Sequence, residues 1–121
     1  MAEVKSKQKY DLEERTFLFA KTVRTFLKDF PDDKLLFRDD AMQLVRASAS
    51  VGANYIEANE SLSKKDFVFR LKICRKEAKE CAFFLRLIVE TMPELQQKGI
   101  VLQDEAIQLK KIFSAILEKS K

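Results

Sequence analysis

An all-α, up-down-up-down antiparallel four-helix bundle is predicted by three features of the 121-residue sequence: breakers are scarce, apolar residues recur with a helical period, and the stretches between helical segments are short. Gly and Pro occur twice each, which favours long uninterrupted helices over a strand-and-turn fold. No run sustains the period-two alternation of a half-buried strand. Hydrophobic residues make up 46% of the chain and charged residues 35%. That is a globular composition, with too much apolar residue for disorder. The length suits one domain with a core of its own. Residues 1–10 are expected to form a flexible charged arm and residues 11–121 the single bundle domain.

The first helix is predicted from about Asp11 to Phe30. Leu12, Phe19, Val23, Phe26 and Phe30 share a face, and Asp11 is placed to cap it, with Glu13 and Glu14 in the dipole-favoured first turn. Phe30-Pro31 ends it, because the residue before proline is pushed out of helical geometry. The second is predicted from about Leu35 to Glu60, with Asp32 and Asp33 as candidate caps. Its expected buried stripe is Ala41, Leu44, Val45, Ser48, Val51, Gly52, Tyr55, Ile56 and Asn59. Gly52 costs roughly 1 kcal/mol relative to Ala inside a helix, which a close helix–helix contact would offset.

The third helix is the clearest. Ser63-Lys64-Lys65-Asp66 resembles a capping box with Asp in place of Glu. Phe67, Leu71, Cys74, Ala78, Cys81, Leu85, Ile88 and Met92 then alternate spacings of four and three, the seam of knobs-into-holes packing. Met92-Pro93 ends it. The fourth is predicted from about Leu102, after Gly99, to Lys119, with Leu102, Ala106, Leu109, Phe113 and Ile116 on its seam. Short connections force neighbouring helices to run antiparallel.

Catalytic equipment is not evident, and the chain is expected to be no enzyme. Histidine is absent, which removes the usual general base and the commonest metal ligand. A carboxylate-bridged metal bundle normally uses Glu-x-x-His pairs. Glu77-x-x-Glu80 is the nearest approach and reads as solvated or ion-paired carboxylates. Cys74 and Cys81 are seven residues apart, roughly 10 Å along one helix, too far for a disulfide, which needs Cα atoms about 4.4–6.8 Å apart. They read as buried core thiols in a reducing, cytoplasmic setting. The opening residues are charged and lack the apolar core of a signal peptide. The most apolar stretch, Ala82–Val89, is too short to span a bilayer. No Gly-rich phosphate loop, cofactor, metal or small-molecule substrate is inferred.

Two helical stripes lie off the core. On the second helix Arg46, Ser50, Asn54 and Glu57 share a face placed opposite the buried stripe. It reads either as a solvated outer face or as a contact that sets the register of helices or subunits. On the third, Lys65, Lys72, Lys79 and Arg86 recur every seven residues, widened by Arg75 and Lys76. The like-charged pairs Lys72–Lys76 and Arg75–Lys79 each cost a few tenths of a kcal/mol in an isolated helix. Their charge is met either by acidic residues of a neighbouring helix or subunit, with Glu13, Glu14, Asp39 and Asp40 available, or by a phosphate backbone. The net charge of +4 permits a polyanion without demanding one. Phe69, Phe83 and Phe84 lie off the seam and suggest a further contact surface, hence oligomerisation.

The segment Arg46-Ala-Ser-Ala-Ser50-Val-Gly-Ala-Asn54-Tyr-Ile-Glu57-Ala, with Ser63-Lys-Lys-Asp-Phe67 and Leu71-Lys-Ile-Cys-Arg-Lys-Glu77-Ala-Lys-Glu80, resembles the four-helix-bundle family of 23S rRNA intervening-sequence proteins. The resemblance covers roughly residues 11–117. It implies a bacterial cytoplasmic protein assembled as a homopentamer, similar also to accessory proteins of diversity-generating retroelements, whose basic surface engages nucleic acid. Relatives often carry Tyr-Trp-Leu late in the third helix; this chain has Cys81-Ala82-Phe83-Phe84-Leu85 and no Trp.

The expectation is therefore a homo-oligomer that contacts RNA or DNA phosphates through Lys65, Lys72, Arg75, Lys76, Lys79 and Arg86. Arg46, Ser50, Asn54, Glu57, Phe69, Phe83 and Phe84 would keep helices or subunits in register. The alternative is a protein-interaction scaffold whose basic stripe pairs with acidic residues of neighbouring subunits.

Overall fold

Four α-helices follow one another along the chain: α1 (Ala2–Leu27), α2 (Arg38–Asn59), α3 (Lys64–Thr91) and α4 (Gln96–Lys119), with 3₁₀ turns at Leu35–Phe37 and Pro93–Leu95. The structure is a computed structural model that describes the backbone of residues 2–31, 33 and 35–121 and the side chains of residues 12–31, 33 and 36–121. The predicted all-α bundle is the fold adopted, and no strand occurs among the described residues. α3 packs extensively along both α2 and α4. α1 lies more lightly against α2 and most lightly against α4, which puts α1 and α3 at opposite corners.

The core takes Phe19, Val23 and Phe26 from α1, Leu44, Val51 and Tyr55 from α2, Leu71, Cys74, Leu85 and Ile88 from α3, and Leu109 and Phe113 from α4. Burying one such large apolar side chain contributes roughly 1.5–3 kcal/mol. The Tyr55 and Phe113 rings meet across the centre, 6.0 Å between centroids. The α3 seam is buried from Leu71 to Met92, with Phe67 half-buried at its start. The cap of α3 forms as its sequence dictates: the Ser63 hydroxyl accepts from the Asp66 backbone N–H at 3.1 Å, satisfying one otherwise orphaned donor.

Polar clamps hold α1 where its apolar packing is thin. Arg15 grips Glu105 of α4 with two bonds, Nε to Oε2 at 2.8 Å and Nη2 to Oε1 at 2.7 Å. Arg24 donates to the Val45 carbonyl at 3.2 Å and the Ser48 hydroxyl at 3.3 Å on α2. Gly52 marks a close approach, since a Cβ there would lie 3.2 Å from Thr16 Oγ1.

Several element boundaries differ from the sequence expectation. α1 begins at Ala2, so Asp11 stands inside the helix and does not cap it; nothing between Ala2 and Tyr10 is Gly or Pro, so nothing stops the helix there. The arm expected over residues 1–10 falls on side chains outside those described. α1 ends at Leu27, three residues before Phe30, and the chain closes in tight turn bonds such as Phe30 N–H to the Leu27 carbonyl at 3.1 Å. α2 begins at Arg38, where Phe37 occupies the cap position with no side-chain hydrogen bond. Asp33 therefore lies well before the helix, and Asp32 falls outside the described residues. α4 begins at Gln96 and contains Gly99, which is buried within the helix and does not precede it.

Both thiols lie at zero exposure in the core. Cys74 donates to the Val51 carbonyl at 3.5 Å. Burial pushes its thiol up to about 12, and burial pushes Cys81 up as well, with the charges of Glu77 and Glu80 adding to it. Thiolate is the reactive form, so neither should react with Ellman's reagent in the native protein, and both should react after unfolding in guanidinium. Fast labelling of the native chain would contradict the placement of the α3 seam.

Candidate nucleic-acid interface

Opposite its buried seam, α3 turns its basic residues to solvent. Lys65, Lys72, Lys76, Lys79 and Arg86 are exposed and Arg75 is half-exposed. Arg86 is committed within its own helix, with Nε 2.6 Å from Glu90 Oε2. The other five form no ion pair among the described residues. The four acidic residues offered as partners on a neighbouring helix or subunit do not pair with them within this chain. Glu13 instead accepts from Asn59 Nδ2 at 2.8 Å, and Glu14, Asp39 and Asp40 make no ion pair with α3.

The polar stripe of α2 is not opposite its buried face. It flanks the α2–α3 junction, because the buried face is centred on Leu44, Ala47, Val51, Tyr55 and Ala58, while Ile56, expected inside, is exposed. Ala47 and Ala58 are buried, and on the helical wheel they extend the buried face toward the side that carries the stripe. Asn54 Nδ2 donates to the Ser50 carbonyl at 2.9 Å and hydroxyl at 3.0 Å. Its Oδ1 accepts from Arg70 of α3 at 3.0 Å. Arg46 reaches two α3 carboxylates, 3.9 Å from Glu77 and 3.6 Å from Glu80. Arg46 and Asn54 are thus engaged with α3 of the same chain, and Ser50 holds Asn54 from within α2, whereas Glu57 is exposed and its carboxylate forms no ion pair among the described residues. Sequence reasoning missed Arg70; its place next to Leu71, at the edge of the α3 seam, is the signal that could have found it.

Glu77 is the unusual member of this junction. It is 7% exposed, and its Oε2 has no hydrogen-bond partner. Burial raises its pKa first and the neighbouring Glu80 charge raises it further, while Arg46 pulls it back. A carboxyl whose folded pKa is raised is favoured by folding in its neutral form. Its contribution is fully present below the ordinary value of 4.5 and is lost as pH rises through the raised folded value. Glu77→Gln keeps the neutral shape and supplies a donor toward Glu80. It is expected to stabilise the fold at pH 8 by about 1 kcal/mol, an advantage that shrinks toward pH 4. Thermal melts across that range check it, and an unchanged or lower melting temperature at pH 8 would contradict the burial of this carboxylate.

The aromatic residues divide. Phe84 is half-buried against the core. Phe69 and Phe83 stand out from α3 at 59% and 57% exposure, on the same side as the lysines. Beside Phe83 a groove of about 600 Å³ runs between α2 and α3, lined by Gln43, Arg46, Lys76, Lys79, Glu80, Phe83 and Phe84.

Comparison with known proteins agrees with this four-helix frame. The model of the 23S rRNA-intervening sequence protein family matches residues 8–115. The chain belongs to that family. A solved structure with the same fold is a protein of unknown function from the S23 ribosomal protein family of Bacteroides thetaiotaomicron VPI-5482. It shares 24% identity, with a TM-score of 0.75, over 88% of this chain and 97% of that one. Among curated proteins nothing matches. No described helix of this family member is long and apolar enough to cross a membrane.

Proposed function

We propose that this chain is a non-enzymatic, cytoplasmic protein that assembles with copies of itself and binds the phosphate backbone of RNA or DNA through the outward face of α3. The observation that carries the reading is the set Lys65, Lys72, Arg75, Lys76 and Lys79, gathered on one face with no carboxylate partner among the described residues. Unpaired like charges in helical register repel, and a polyanion relieves that repulsion while releasing its own counterions. The contacts are of the kind that positions a backbone without reading bases.

Self-assembly rests on a second surface. Leu18 and Val101 are exposed on α1 and α4, with Val101 at 68%, and they line one groove between those two helices. Exposed apolar groups grouped in this way mark interaction surfaces, and they leave the α3 face free for its ligand.

The test is fluorescence anisotropy of labelled RNA and DNA against the purified protein over a series of salt concentrations, with light scattering to read the assembly. Binding that weakens steeply with salt supports the backbone reading. Absence of binding at low salt removes it and leaves the basic stripe to partner subunits.

A further inference from the structure

We infer that the α3 face takes single-stranded nucleic acid in preference to duplex, with Phe69 and Phe83 as stacking platforms for unpaired bases between phosphates held by Lys72, Lys76 and Lys79; this rests on the backbone-binding reading above and specifies its ligand. Phe69, Lys76 and Phe83 are spaced by seven residues, so they drift only ~20° per step around the helix and form one line. Lys72 and Lys79 flank it. The two rings are about 21 Å apart along the axis, the reach of a short run of nucleotides.

The Phe83 ring is positioned without being covered. Phe84, packed against the core, meets it in a T-shaped contact at 5.5 Å and 71°, and Phe83 remains more than half exposed. The adjacent groove of about 600 Å³ gives a displaced base room beside the ring, with Gln43 and Glu80 as polar groups at its edge. A second copy of this face is a poor occupant, because it would set Lys72, Lys76 and Lys79 against their own equivalents. A duplex satisfies the lysines but keeps its bases stacked and paired, out of reach of the rings. A single strand offers both phosphates and free base faces, and stacking of bases on aromatic side chains is tolerant of sequence.

The experiment compares four fluorescein-labelled probes by anisotropy on the full chain: oligouridine, oligothymidine, a mixed-sequence duplex of equal length, and an abasic DNA strand of the same phosphate count. Both single strands should bind at least about tenfold more tightly than the duplex and the abasic strand. Phe69→Ala and Phe83→Ala should each weaken single-strand binding roughly five- to a hundredfold and leave the other two probes unaffected. The chain has no Trp, so Phe83→Trp installs a single reporter at an exposed position. Its emission should be quenched by the single strands and unmoved by the abasic strand. Equal binding of all four probes, unaltered by the Phe substitutions, overturns the stacking inference while backbone binding stands. No binding of any probe at low salt overturns both.

Discussion

Replacing Lys72 and Lys79 together with glutamate is expected to weaken nucleic-acid binding on the order of a hundredfold at low salt, and to flatten its dependence on log salt by roughly 1.4 for single strands, while the bundle remains as stable as before. The two outcomes are separable because of helical register. Lys72→Glu replaces a repulsive pair with a Glu–Lys pair to Lys76 at the favourable spacing of four, and Lys79→Glu does the same for Arg75. Each change is worth a few tenths of a kcal/mol in the helix's favour. Both positions are exposed and form no ion pair among the described residues, so neither substitution breaks a contact within the chain. Lys76 is left in place because its charge helps offset the raised pKa of Glu77. Anisotropy, thermal melting and light scattering on the same variant decide the matter. Lost binding with intact mass and melting temperature supports a ligand surface on α3. Dissociation of the assembly would instead mean that the lysines face carboxylates of a neighbouring subunit.

What the sequence disclosed depends on how each contact is encoded. The α3 seam was legible because large apolar residues at alternating spacings of three and four leave one solution, and because Ser63 announces the helix start with a side chain that has little else to do. The basic stripe was legible for the same reason of register. The buried face of α2 was not. Its decisive members, Ala47 and Ala58, are too small to stand out in a hydrophobic pattern, so the apolar Ile56 drew the inferred stripe away from α3. Arg46, Ser50 and Asn54 consequently looked like an outer face, when they flank the α2–α3 junction. Long polar side chains reach partners a helical wheel cannot locate, as the Arg46 contacts to Glu77 and Glu80 and the Arg70 bond to Asn54 demonstrate. The exposed Phe69 and Phe83 were visible as residues off the seam. Only the fold aligned them with the lysines on one solvent face.

Gly99→Ala is expected to destabilise the chain by about 1–2 kcal/mol, against the ordinary direction of a glycine-to-alanine change inside a helix. Helix propensity alone would favour alanine by up to about 1 kcal/mol. The opposing effect is space. Gly99 lies inside α4, where a Cβ would sit 2.6 Å from Val89 Cγ2 of α3 and 3.4 Å from Phe26 Cζ of α1. Val89 is β-branched and buried, so its rotamer cannot swing clear at low cost. Overpacking of this kind typically costs about 1–3 kcal/mol. A glycine that reads in sequence as a stop before a helix is in fact the point where three helices converge, and missing side-chain volume has no signature in a hydrophobic pattern. The melting temperature of Gly99→Ala should therefore fall by roughly 3–8 °C. Val89→Ala should be destabilising by itself through the cavity it leaves. In the double variant the new methyl enters the space vacated by Val89, so the combined loss should be smaller than the sum of the two by about 1 kcal/mol or more. A higher melting temperature for Gly99→Ala alone would mean that propensity wins and that α4 stands farther from α3 and α1 at this junction. Strict additivity in the cycle would mean that Val89 is not the atom group in the way.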